Sequence, residues 1–191
     1  MYYIIYTGAT RENSVERDIK DKIPGELYRR IFHPVRRRKK KYHGEWKTVT
    51  EKLVPGYVFI ETDHIGEFYQ ELRRRHVVPR ILGKEYTDTA DISFYEMKPE
   101  EELWLTQLTA GSAELDADGN TVLGLSEIGF GENDEVIVLS GPLRNLSGYV
   151  RRINLHKRIA EVIVDFMGAA TTMYLGIDIV ARKDELEGRE R

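Results

Sequence analysis

The 191-residue chain is 41% hydrophobic and 32% charged, and it contains no cysteine. Disulfide scaffolds, thiolate nucleophiles and Cys-ligated zinc are thereby excluded, and no apolar run approaches the roughly 18 residues of a membrane span. The formal net charge of −3 conceals a segregation. Nine basic residues stand against one acid between Tyr28 and Lys47, a local +8, whereas Glu85 to Glu135 holds fourteen acids and one lysine. A chain that is acidic on average can still present a segment that binds polyanions. Its start lacks a basic n-region, so a soluble, cytoplasmic protein is expected.

Tyr2 to Tyr6 is aromatic and β-branched and predicts a buried strand. Val15, Ile19 and Ile23 recur at steps of four, which predicts a helix entered near Thr10 and stopped by Pro24-Gly25. Two extended stretches follow, Tyr28 to Lys41 and Trp46 to Leu53, with Gly44 supplying the positive φ of a hairpin turn. Tyr57 to Ile60 predicts a short strand, and Ile65, Phe68, Tyr69 and Leu72 a helix closed by Arg73, Arg74 and Arg75. Val77 to Leu82 reads as a strand, and Pro99 to Leu108 as a third helix burying Leu103, Trp104, Leu105 and Leu108. This order predicts an α+β fold, an antiparallel sheet sandwiched with helices over residues 1–109. Residues 110–131 read as a linker with a small hairpin around Asp118-Gly119-Asn120.

Beyond it the helical period vanishes. Asp134–Leu139, Gly148–Ile153, Ala160–Phe166, Met173–Leu175 and Ile177–Val180 predict five short strands, a small β-barrel over 132–184, with a disordered tail at 185–191. Gly148 is expected to mark a bend where a side chain would clash.

Several blocks resemble a known family. Val54-Pro55-Gly56-Tyr57-Val58-Phe59-Ile60 is similar to the F-P-G-Y-V-h-V strand of the NusG N-terminal (NGN) domain. Tyr2-Tyr3-Ile4-Ile5-Tyr6 resembles its W-Y-V-h opening, and Val78-Pro79-Arg80-Ile81-Leu82-Gly83 its V-P-R-h-h-G segment. Gly141-Pro142-Leu143-Arg144-Asn145-Leu146-Ser147-Gly148 resembles a KOW motif, which implies an SH3-like barrel. Asn154 to Ala160 and Leu175 to Val180 are similar to the LoaP paralogues of that family, although Leu155 stands where that pattern has Arg. Phe68-Tyr69-Gln70 replaces the His-Thr-Thr element of the RfaH branch.

The resemblance implies a non-enzymatic bacterial transcription elongation or antitermination factor. Its N-terminal domain would sit on the clamp helices of RNA polymerase through Ile4, Tyr6, Pro55, Tyr57 and Phe59. Its barrel would take a protein partner or nucleic acid, and a monomer is expected.

Arg36-Arg37-Arg38-Lys39-Lys40-Lys41 is the most informative local feature, since clustered cations attract backbone phosphates. On an extended strand about three of the six can share a face. Trp46 and Tyr42 at the hairpin tip suit stacking on unpaired bases. His33, Arg73, Arg74 and Arg75 would widen the patch. The expected ligand is an RNA leader hairpin, with DNA near the transcription bubble as the other nucleic-acid source. Arg144, Arg151, Arg152, His156, Lys157 and Arg158 form a second basic group around the barrel loops. The alternative is an RNA-binding or ribosome-associated KOW module without polymerase contact. Catalysis finds no support: the five histidines lack metal-ligand spacing, Gly124 to Gly129 is one residue too long for G-x-S-x-G, and no phosphate loop occurs. No cofactor and no metal is expected.

Overall fold

The computed structural model describes residues 1–77, 95–110, 114–131 and 135–182. In chain order the first elements are β1 (Tyr2–Tyr6), α1 (Glu12–Lys22), β2 (Arg30–Phe32), β3 (Val35–Tyr42), β4 (Glu45–Lys52), β5 (Tyr57–Glu61), α2 (Ile65–Arg74) and β6 (Tyr95–Glu96). There follow α3 (Pro99–Ala110), β7 (Val122–Leu123), β8 (Ser126–Phe130), β9 (Val136–Val138), β10 (Val150–Asn154), β11 (Ile159–Phe166) and β12 (Ala169–Arg182). The fold is α+β. The chain divides into two compact units, Met1–His33 with Val54–Glu102, and Pro34–Leu53 with Leu103 onward.

The first unit is an antiparallel sheet in the order β2-β5-β1-β6. Strand alternation decides what it buries. Tyr3, Ile5, Ile31, Val58 and Ile60 pack with Val15, Ile19 and Ile23 of the first helical segment and with Phe68 and Leu72 of α2 in one apolar cluster. The helix expected from Thr10 starts at Glu12, because Thr10 has φ +76° and lies in a turn closed by Arg11 N donating to Gly8 O. The first turn of α3 is tied to this sheet by its acids. Glu102 accepts from Tyr2 N at 2.8 Å, and Glu101 accepts from Lys98 N at 2.9 Å, as in a capping box.

A buried carboxylate fixes the Pro55-Gly56 turn that enters β5. Glu12 is fully buried, and its Oε1 accepts the Gly56 N–H at 2.5 Å. The Gly56 carbonyl in turn accepts from Thr7 N at 2.7 Å and from Thr7 Oγ1 at 3.2 Å. Gly56 has φ +92°, and a Cβ there would stand 3.0 Å from the Tyr6 ring, so only glycine fits without strain.

In the second unit β3 and β4 form an eight-pair hairpin turned by His43 and Gly44, both with positive φ, the pattern of a type I′ turn. β7 adds in parallel to β3, giving the order β4-β3-β7. The other sheet runs β10-β11-β12-β8-β9. Three of its features differ from the sequence reading. The strands expected at Met173–Leu175 and Ile177–Val180 are one continuous strand, β12, running through Gly176. A Cβ at Gly176 would overlap the Arg37 carbonyl oxygen, so the glycine permits close passage of β3 rather than a break. The fifth strand, β8, comes from the segment expected to be linker and pairs in parallel with β12. Gly148 has nothing within 4 Å of where its Cβ would be, and the irregularity falls instead between Val150 and Arg152.

The small hairpin around Asp118-Gly119-Asn120 is present, with Asp116 Oδ1 accepting from Asp118 N and Asn120 N. Trp104 anchors the later part of α3, its Nε1 donating to the Asp165 carbonyl at 2.8 Å and its ring edge-on to Phe166. Residues Val78–Gly83, the rest of the strand expected from Val77 and the tail at 185–191 lie outside the described residues.

Replacing Glu12 with Ala leaves the buried Gly56 amide without its acceptor. Urea unfolding is expected to show a loss of about 1–3 kcal/mol, largely restored by Glu12→Gln, which keeps an acceptor oxygen.

Candidate polymerase edge and nucleic-acid hairpin

The face of the first sheet opposite the apolar cluster carries Tyr2, Ile4, Tyr6, Phe32, Tyr57 and Phe59. Register sets Ile4 against Phe59 and Tyr6 against Tyr57, with Phe32 beside Phe59. The Tyr6 and Tyr57 rings lie 5.2 Å apart, and the Phe32 and Phe59 rings stack at 5.7 Å. The five residues expected to meet the polymerase therefore share one edge but not one exposure. Ile4 and Phe59 are 1% and 0% exposed, Tyr6 and Tyr57 are half-buried, and Pro55 is exposed. Only Tyr6, Pro55 and Tyr57 offer surface to a partner. Ile4 and Phe59 lie next to them on the same face, two positions along each strand, and are sealed.

The basic hairpin is more neutralised than its sequence suggests. Alternation puts Arg36, Arg38 and Lys40 on one face and Arg37, Lys39 and Lys41 on the other, three to a face. Glu51, opposite Arg36 in the register, gathers the first row. Its Oε2 lies 3.1 Å from Arg38 Nη1 and 3.6 Å from Arg36 Nη2, and its Oε1 pairs with Lys40. Arg36 also donates to the Tyr174 carbonyl at 2.6 Å. On the other face Arg37 pairs with Glu114, and Lys39 lies 3.2 Å from Asp178. Lys41 and Lys47 are exposed, with no ion pair among the described residues. Tyr42 is 45% exposed at the tip, while Trp46 is half-buried under the Arg158 guanidinium, 4.9 Å from its ring centre.

The remaining expected contacts separate clearly. His33 is not on a surface. It is 3% exposed, and its Nδ1 lies 2.6 Å from Glu16, whose other oxygen holds Lys20 at 2.5 Å. A ring so enclosed reaches no external phosphate. Arg73, Arg74 and Arg75 are exposed at the end of α2, with Arg74 and Arg75 both paired to Glu71 and Arg73 beside the Tyr69 ring. In the barrel region Arg144, Arg151, Arg152, His156 and Lys157 are exposed, with no ion pair among the described residues. The irregular pairing between Val150 and Arg152 is what turns two consecutive arginines outward. Arg158 is held apart from them by Asp178 at 2.5 Å.

Residues 1–99 match the family model described as Transcription termination factor nusG. The chain belongs to the NusG family. It is 25% identical over 178 residues to the transcription termination/antitermination protein NusG of Halalkalibacterium halodurans, covering 91% of this chain and 93% of that protein. The protein of the same name from Bacillus subtilis is 24% identical over 185 residues, with the same coverage. For the one from Streptomyces coelicolor the identity is 24% over 188 residues, covering 95% of this chain but only 62% of the relative's length. A solved structure titled "Domain interaction in Thermotoga maritima NusG" shares 22% identity over 92% of this chain and 93% of that one, with a TM-score of 0.43.

In this NusG-family chain the residues that sequence reasoning missed are the acids. Glu51, Glu114, Asp178 and Glu12 were legible only as ordinary charges. For Glu51 a signal existed, since a two-residue turn at His43-Gly44 fixes the register and sets it opposite Arg36. No helix among the described residues is long and apolar enough to cross a membrane, and no cluster of metal-ligating side chains occurs among them.

Glu51 also makes the hairpin sensitive to acid. Partial burial works against its charge, but the hydrogen bond from Lys40 and the charges of Arg38, Lys40 and Arg36 outweigh that and hold its carboxyl below the ordinary glutamate value of 4.5. A lowered folded-state value stabilises the fold above the unfolded value, and the benefit disappears as pH falls through the folded one. Thermal melts of wild type and Glu51→Gln should therefore differ by a constant amount above about pH 5 and converge as acid protonates Glu51. A difference that persists unchanged to pH 2 would contradict this coupling.

Proposed function

We propose that the protein is a cytoplasmic, non-enzymatic transcription elongation and antitermination factor that acts as a monomer. It docks on the clamp helices of RNA polymerase through Tyr6, Pro55 and Tyr57. It holds nucleic acid, an RNA leader hairpin above all, along β3 and β4, and so carries the enzyme past terminators of chosen transcripts. The LoaP-like blocks Asn154 to Ala160 and Leu175 to Val180 support the specialised-paralogue form of this reading.

The observation that carries it is the Tyr6-Pro55-Tyr57 edge. Two rings packed on each other from neighbouring strands, with the adjoining turn held by Glu12, supply a large contact at little entropic cost. A second reading, an RNA-binding KOW module without polymerase contact, is favoured by one observation. Arg144, Arg151, Arg152 and Lys157 stand exposed and unpaired among the described residues, whereas five of the six hairpin cations are paired.

Single-round transcription by bacterial RNA polymerase through an intrinsic terminator tests the proposal, with templates that do or do not encode an upstream RNA stem-loop. Wild-type protein should raise read-through severalfold, more on the stem-loop template. A variant with Arg37, Lys39 and Lys41 changed to Gln should lose the difference between templates. Termination unaffected by the wild-type protein on both templates would overturn the proposal.

A further inference from the structure

We propose that Glu51 is a specificity-determining residue of the hairpin, its carboxylate seated where a nucleic-acid phosphate would otherwise be gripped. A polyanion must therefore displace an internal counter-charge before it binds this row. The inference rests on the nucleic-acid reading of β3 and β4.

Geometry supports it first. Arg36 and Lys40 are four residues apart, roughly 13 Å along a strand, yet with Arg38 between them they lean toward the two oxygens of one side chain. Guanidinium and ammonium groups bind carboxylate and phosphate oxygens with the same donors, so a point where three such groups converge is a phosphate site by chemistry. Glu51 leaves that point unsaturated. Three cations against one acid keep a surplus of +2.

The consequence is discrimination. A strand that meets only the Arg36, Arg38, Lys40 row breaks an existing contact for each new one, and gains little. A ligand shaped to engage the unpaired Lys47 as well, which stands opposite Lys40 in the register and so on the same face, gains a contact that costs none. Glu51 thus suppresses binding to arbitrary strands more than binding to a matched ligand.

The test is a salt titration of the full-length protein against a fluorescein-labelled 20-nucleotide oligouridylate, as a strand of no particular shape. Glu51→Gln should free about one further phosphate contact. Its log–log salt slope should steepen by about 0.7, with binding about fivefold tighter than wild type at 0.1 M salt and equal near 1 M. Glu67→Gln, which removes the same charge from an exposed position on α2, controls for net charge and should leave both quantities unchanged. Binding by Glu51→Gln that is unchanged or weaker, or an equal gain in Glu67→Gln, overturns the role of Glu51 while leaving the hairpin as a binding site. If neutralising Lys40 and Lys47, which share the face of Glu51, does not weaken wild-type binding, the reading of this row as a nucleic-acid site falls and takes the inference with it.

Discussion

Six consecutive cations on one β-strand are the constraint to which the second unit answers. Neighbours on one face stand about 6.6 Å apart, where two like charges repel by about 2.5 kcal/mol at an effective dielectric near 20. Left alone, such a strand would favour a loosened, solvated chain. Here carboxylates from three directions hold it: Glu51 from β4, Asp178 from β12 and Glu114 from the segment before β7. An isolated exposed ion pair contributes little, about 0–1 kcal/mol. Three cations on one half-buried carboxylate act instead as a network that relieves repulsion in the whole row. The hairpin stays extended because its charges are shared, and it stays basic because they are not fully cancelled.

The first unit solves a different problem with the same two-residue period. Both faces of β1 and β5 are apolar, so each needs cover or a use. One face packs with the helices, and the other sinks Ile4 and Phe59 while keeping Tyr6, Pro55 and Tyr57 accessible. A one-residue slip between β1 and β5 would exchange the two sets, so register is under strong constraint. Glu12 and Thr7, which bond both the amide and the carbonyl of Gly56, pin that register at its start. The same turn that fixes the fold thus presents the edge we assign to the polymerase.

Much of this was legible in the sequence, for identifiable reasons. Apolar residues at steps of four marked the first helix, and the alternation in Tyr57 to Ile60 marked the two faces of β5. The split of the basic run into two rows followed from strand geometry alone. What could not be read was anything set by partners distant in the chain. Phe59 carries the same sequence signal as Tyr57, yet one is sealed and the other is not. His33 looked like a member of the basic patch until Glu16, seventeen residues earlier, proved to enclose it. Gly176 suggested a break between strands because its reason, the close passage of Arg37, lies in another element. Ser126 to Phe130 hid in a glycine-rich stretch because a parallel partner fifty residues away leaves no local turn signal.

The most direct measurement of the central claim is equilibrium binding of the intact protein to bacterial core RNA polymerase, compared with Tyr57→Ala. Tyr57 is the residue to change because it is half-buried at the edge, whereas truncating the sealed Phe59 would open a core cavity at a cost of about 3–5 kcal/mol. The account predicts that the intact protein binds, and that Tyr57→Ala weakens binding at least tenfold with its melting temperature nearly unchanged and its affinity for RNA intact. An intact protein that does not bind the polymerase, or a Tyr57→Ala variant that binds it as tightly, would contradict the account.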